Sequence, residues 1–133
     1  MNIIQTVGYT PLLSLDGMTS SKQPKILAKA EFMNVSGSVK DRAAAAMIQD
    51  GITRGKLTPG KTILDATSGN TGISYAMLGA SLGFRVKLFL PANASAERKQ
   101  IMLALGAEIV ETDPLEGSDG AYLAAVAEYE KTY

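Results

Sequence analysis

From residue 61 onward, short apolar runs alternate with helix-length segments, and this alternation limits the fold more than any other feature of the chain. "KTILDA" at 61–66, "RVKLFLP" at 85–91 and "AEIVET" at 107–112 read as buried strands. Between and after them, "ISYAMLGASLG" at 73–83, "SAERKQIMLALG" at 95–106 and "DGAYLAAVAEYEKTY" at 119–133 read as helices. Gly83 and Gly106 close two of these helices as left-handed caps, and Pro91 stops a strand. Strands joined through helices pair in parallel, with right-handed crossovers that cover the sheet. The class is therefore α/β: a parallel βαβ sheet with helices on both faces. "GASLGFRVKLF" and "MLALGAEIVET" share a helix, Leu-Gly, strand order, which is one αβ turn used twice and not a repeat.

The first sixty residues are less regular. Residues 1–24 read as irregular, with an extended "GYTPL" at 8–12 and a loop "DGMTSSKQP" at 16–24. "KILAKAEF" at 25–32 reads as a strand, and "SVKDRAAAAMIQDGITRG" at 38–55 as a helix ending near Gly55. The 133 residues fit one domain, with 46% hydrophobic and 20% charged residues, as in a globular chain. Thirteen basic residues balance thirteen acidic ones, which gives no electrostatic case for nucleic acid or an anionic membrane as partner. Cys and His are both absent, so disulfides, the usual zinc sites and Ser-His or Cys-His catalysis are excluded within this chain. No membrane-span pattern or signal peptide is present, and the expected setting is the cytoplasm.

Two stretches carry chemistry. In "NVSGSVKDR", Ser38 is the expected N-cap and Asp41 follows three residues later, a capping-box spacing that puts Lys40 at the second helical position. The positive helix end and nearby Arg42 both disfavour an ammonium there, so the amine pKa should fall, while Asp41 acts against that. A neutral amine is a nucleophile toward an aldehyde. By position alone, a solvated surface lysine is the ordinary reading of Lys40, one of nine lysines in the chain.

The second stretch, "TSGNTG" at 67–72, lies between a buried strand and a helix, at the carboxyl end of the strand where open α/β sheets bind ligands. Gly69 and Gly72 allow close backbone approach. Thr67, Ser68 and Thr71 offer hydroxyls, Asn70 an amide, and the helix start offers free N–H groups. It is neither a P-loop nor G-x-G-x-x-G, and a carboxylate suits its size better than a pyrophosphate. Spacing alone also allows an ordinary βα turn with Ser/Thr capping.

Together, "SGSVKDR" and "TSGNTG" resemble the fold-type-II pyridoxal-phosphate enzymes, in the branch of cysteine synthase (O-acetylserine sulfhydrylase) and cystathionine beta-synthase. "GYTPL" resembles the family's Gly-x-Thr-Pro-Leu opening, "ILAKAE" its strand ahead of the lysine, and "SAERKQIMLALGAEIV" its Ser-x-Glu-Arg helix and Leu-Gly-Ala turn. "NVSGS" departs from it, because the family usually has a proline after the asparagine. The resemblance implies the N-terminal part of the tryptophan-synthase-beta-like fold. It implies that Lys40 forms the internal aldimine with pyridoxal phosphate and later transfers protons. Asn70 would bond the cofactor's ring oxygen, and Thr67, Ser68 and Thr71, with Asn70, would receive the substrate's α-carboxylate.

Family members are much longer, and their phosphate-binding loop lies beyond the equivalent of Tyr133. Only "EGSDG" at 116–120 could substitute, and its acidic residues suit a phosphate poorly. The chain is therefore expected to be a truncated N-terminal domain, 1–133, that includes the family's mobile substrate-closing region at about 84–131. The implied reaction makes cysteine from an O-activated serine and sulfide, in a homodimer when full-length. A cystathionine beta-synthase, or a serine or threonine dehydratase, is the enzymatic rival. Ser-Val-Lys and Thr-Ser-Gly-Asn-Thr-Gly argue against the Ser-Phe-Lys and Ser-x-Gly-Asn-His of the dehydratases. The alternative of another class is a non-catalytic fragment that packs on a partner chain or weakly binds an amino acid.

Overall fold

The computed structural model describes residues 3–18 and 24–132. Among the described residues, nine regular elements follow in order: β1 (Leu12–Ser14), β2 (Leu27–Lys29), α1 (Lys40–Thr53), β3 (Thr62–Ala66), α2 (Asn70–Leu82), β4 (Arg85–Pro91), α3 (Ala96–Ala104), β5 (Glu108–Thr112) and α4 (Gly117–Thr132). Single 3-10 turns occur at Ile3–Thr6, Asp16–Met18 and Glu31–Met33.

The alternation from residue 61 produces a three-stranded parallel sheet in the order β3-β4-β5. Thr62 to Ala66 pair with Arg85 to Phe89, and Lys87 to Pro91 pair with Glu108 to Thr112. β4 is central, and its period-2 pattern divides the core between two faces. Val86, Leu88 and Leu90 pack with Ala44, Ala45 and Ile48 of α1, with α2 and with Met102 of α3. Phe89 points the other way and packs with Ala121 and Ala125 of α4, beside Leu64 and Val110. Helices therefore cover both faces, as the pattern requires. Lys87, also on the α4 face, is held by Glu128 at 2.7 Å and Glu108 at 3.1 Å.

Two glycines act as expected. Gly83 caps α2 with φ 78°, and Gly106 follows α3 with φ 83°. Gly79 serves close approach: a Cβ there would lie 2.3 Å from Val86 Cγ2. α2 thus lies on β4 closer than any side chain would permit.

The amino-terminal region needs correction. The stretch expected to be irregular contains β1, which pairs antiparallel with β2, Leu12 opposite Lys29 and Ser14 opposite Leu27. The strand expected over 25–32 is reduced to Leu27–Lys29, because β1 offers only three partners and the Asn34 amide then bonds the Glu31 carbonyl at 3.0 Å, turning the chain. Leu12 and Leu13 point to opposite faces of this hairpin, yet both are exposed. The loop expected at 16–24 lies largely outside the described residues; its start is the 3-10 turn at Asp16–Met18.

Candidate active site

The loop after β3 is fastened to the central strand by the Thr67 N–H, which donates to the Phe89 carbonyl at 3.0 Å. α2 starts at Asn70 behind Gly69, with no side-chain cap. The N–H groups of Ser68, Asn70 and Thr71 have no acceptor among the described residues, and neither the hydroxyls of Ser68 and Thr71 nor the Asn70 amide is engaged there. The Thr67 hydroxyl accepts the Gly69 N–H at 3.4 Å. A Cβ on Gly72 would lie 3.2 Å from both the carbonyl and Cγ2 of Thr67, so the first turn of α2 sits directly against Thr67. Unpaired donors at the positive end of a helix favour an anion.

Lys40 begins α1 and is exposed, and its amine makes no hydrogen bond or ion pair among the described residues. It is the first helical residue, not the second, because Val39 occupies the cap position. The expected capping box does not form. The Ser38 hydroxyl accepts the N–H of Lys40 itself at 3.2 Å. Asp41 turns inward, fully buried, and its carboxylate accepts the Ser36 N–H at 2.7 Å and the Ser74 hydroxyl at 2.5 Å, with the Ser36 hydroxyl as a third donor. Ser74 lies on the first turns of α2, 2.9 Å from the Asn70 carbonyl. The structure thus brings the lysine's helix start and the loop's helix start together through Asp41 and Ser74.

Arg42, expected to repel the Lys40 charge, is committed elsewhere. Its Nε and Nη2 donate to the Glu31 carboxylate at 2.9 and 2.8 Å. These bonds, opposed by desolvation and supported by Thr10 and Asn34, bring the Glu31 carboxyl down to about 2. Arg42 also reaches the Thr10 hydroxyl at 3.1 Å, and the Asn34 carbonyl oxygen accepts the Gly8 N–H at 2.9 Å. Gly8, at φ 87°, approaches so closely that a Cβ would lie 2.7 Å from Arg42 Nη1. The "GYTPL" segment and the loop before Lys40 are therefore clamped to α1. Sequence reading missed this clamp and the inward Asp41, although Asp41, Ala44, Ala45 and Ile48 form one buried helical stripe.

Asp65 near the end of β3 is half-buried, and burial raises its pKa, partly offset by the Ala66 N–H bond at 2.8 Å. Burial and the Asp65 charge together push Tyr75 up to about 12. Because the folded value for Asp65 exceeds the unfolded one, ionisation weakens the fold once the pH passes the unfolded value of ~3.9, and no such cost exists where both states are protonated. Asp65→Asn keeps an acceptor for Ala66. It is expected to raise the melting temperature at neutral pH and to leave it unchanged in acid below the unfolded value. Thermal melts at the two conditions check this, and an equal gain in both would remove charge as the cause.

Comparison with known proteins follows the same lines. The chain is 51% identical over 124 residues to a cysteine synthase of Aquifex aeolicus, covering 91% of this chain and 38% of that one. The crystal structure of O-acetyl serine sulfhydrylase isoform 3 from Entamoeba histolytica superposes with a TM-score of 0.84 at 43% identity, covering 98% of this chain and 39% of that one. The crystal structure of an O-ureido-L-serine synthase K43A mutant with O-ureido-L-serine bound superposes with a TM-score of 0.90 at 36% identity, over 98% of this chain and 40% of that one. The chain thus spans about two-fifths of the length of these relatives. No helix among the described residues is long and apolar enough to cross a membrane. The family of pyridoxal-phosphate dependent enzymes matches residues 3–133, and with the lysine-bearing helix start joined to the open-donor loop, the chain belongs to that family.

Proposed function

We propose that this chain contributes the lysine and the carboxylate cradle of a cysteine synthase, a transferase that joins sulfide to the β-carbon of an O-activated serine. One observation carries the reading: the unpaired Lys40 amine starts a helix that is tied, through Asp41 and Ser74, to a loop of unpaired donors. The residues fit the aldehyde end of pyridoxal phosphate, since an exposed primary amine can take up an aldehyde. Bound there, the cofactor supplies an electron sink for the reaction at the amino acid's α- and β-carbons.

Each residue then has a task. Lys40 holds the cofactor through Nζ and later carries the proton at the substrate's α-carbon. The Asn70 amide orients the cofactor ring at its ring oxygen. The hydroxyls of Thr67, Ser68 and Thr71, with Asn70 and the free N–H groups at the start of α2, bind and orient the substrate carboxylate. The substrate-closing movement expected of about residues 84–131 belongs to the same proposal. β3 lies outside that region yet pairs with β4 over five residues, so closure would have to carry β3 along or shear the β3–β4 seam. A homodimeric full-length protein rests on the family resemblance alone, and a cytoplasmic setting on the sequence pattern described above. The likeness to the O-ureido-L-serine synthase favours a second reading, in which the same residues serve a nucleophile other than sulfide.

Mixing the chain with pyridoxal phosphate, reducing with borohydride and mapping the peptides tests the proposal. The pyridoxyl label is expected mainly on Lys40. Uptake is expected to be weak, without saturation at micromolar cofactor, because the cofactor phosphate carries about two negative charges and "EGSDG" suits it poorly. A label concentrated on another lysine would sink the proposal.

A further inference from the structure

The Asp41 carboxylate is an unusual group to find beside an exposed lysine. It is wholly buried, and no Lys or Arg pairs with it among the described residues. Arg42, its neighbour, points to Glu31. Burying a carboxylate without a cation is costly unless hydrogen bonds satisfy it, and an apolar residue would fill the same space at lower cost. Here one oxygen receives the Ser36 N–H at 2.7 Å, and the other receives the hydroxyls of Ser36 and, at 2.5 Å, Ser74. The two hydroxyls are themselves 3.1 Å apart. All three donors come from outside α1, two from the loop before it and one from α2.

We infer that Asp41 and Ser74 are positioning residues for Lys40: they fix the peptide that carries the reactive amine against the start of α2, where the carboxylate cradle begins. The inference rests on the function proposed above and adds residues to it. Lys40 is held from both sides. Its own N–H is taken by Ser38, and the next side chain is anchored by Asp41. Only the lysine side-chain torsions then remain to be settled when an aldehyde is bound. An anchor of this kind acts by holding reacting groups in register, where small displacements lower rates steeply. An apolar residue at 41 would fill the volume but could not grip Ser36 and Ser74 together.

The test measures selectivity and not stability. The intact chain is treated briefly with limiting pyridoxal phosphate and borohydride, below the onset of thermal unfolding. The label on Lys40 is divided by that on Lys61, an exposed lysine before β3. Wild type is expected to favour Lys40. Ser74→Ala and Asp41→Asn are each expected to lower the ratio about tenfold, the loss of one hydrogen bond to a charged group. Ser81→Ala, exposed on the far end of α2, should leave the ratio as it was. Circular dichroism confirms that each variant is folded during labelling, and Ser36→Ala replaces any variant that is not. A purely structural role would lower the melting temperature and leave the ratio intact, which would overturn the inference. If wild type shows no preference for Lys40, both the inference and the function proposed above fall. If wild type shows the preference and folded variants keep it, only the positioning role falls.

Discussion

Gly79→Ala is expected to destabilise the protein by about 1–3 kcal/mol, although alanine is the better helix former by ~1 kcal/mol. On an exposed helix the exchange would stabilise. Here the new methyl would stand 2.3 Å from Val86 Cγ2 and 3.3 Å from the Phe84 carbonyl. Val86 is buried on the central strand, and its branched side chain has little rotamer freedom with which to yield. α2 must therefore lift from β4. Asn70, Thr71 and Ser74 ride on that helix, so the donors proposed to receive the substrate carboxylate would move with it. Urea denaturation should show a lower midpoint at unchanged slope. A higher midpoint would mean that α2 and β4 do not approach this closely.

Leu88→Ala is expected to cost more, about 2–5 kcal/mol. Leu88 is completely buried in the middle of β4, paired with Asp65 on one side and Ile109 on the other. Strands on both flanks and helices on its face leave no route by which the hole could collapse, which places the substitution toward the costly end of the range. Native domains have only about 5–15 kcal/mol in total, so this loss is a large share of the stability and the urea midpoint should fall correspondingly. Leu64→Ala is the comparison. Leu64 lies on the outer strand, half-buried, and should lose clearly less. Equal losses from the two would contradict the assignment of β4 as the centre of the core.

The legible and illegible parts of this fold divide by the range of the interactions that make them. β3 to α4 could be read because short strand-like runs alternate with helix-length segments and each crossover helix ends in its own glycine. β4 falls on the expected residues 85–91. β1 could not be read, and β2 only inside a longer strand expected at 25–32, because three-residue strands carry too little period to fix their bounds. At the candidate site, Lys40 and the Thr67–Gly72 loop stand out in the sequence only as a pair of motifs that together resemble a family's. Asp41 misleads, because S-x-x-D is the same string whether the aspartate caps its own helix or turns inward to bond Ser36 and Ser74. The burial stripe of α1 distinguishes the two, since position 41 shares a face with Ala44, Ala45 and Ile48. The Glu31–Arg42 clamp has no local signature, since its partners are eleven residues apart and meet only in three dimensions.

The clamp and the Asp41 anchor also bear on when the site comes into being during folding. Their hydrogen bonds join residues far apart along the chain: 26 between Gly8 and Asn34, 32 between Thr10 and Arg42, and 33 between Asp41 and Ser74. Each closes a long loop, and that entropy is lost before the contact returns anything. α1 and α2 can each gather their first turns early, but neither then knows where the other is. Lys40 acquires its surroundings only once the parallel sheet has set the two helices side by side. A partly folded chain therefore carries Lys40 without the Asp41–Ser74 link, and the arrangement proposed to bind the cofactor forms only with the tertiary fold.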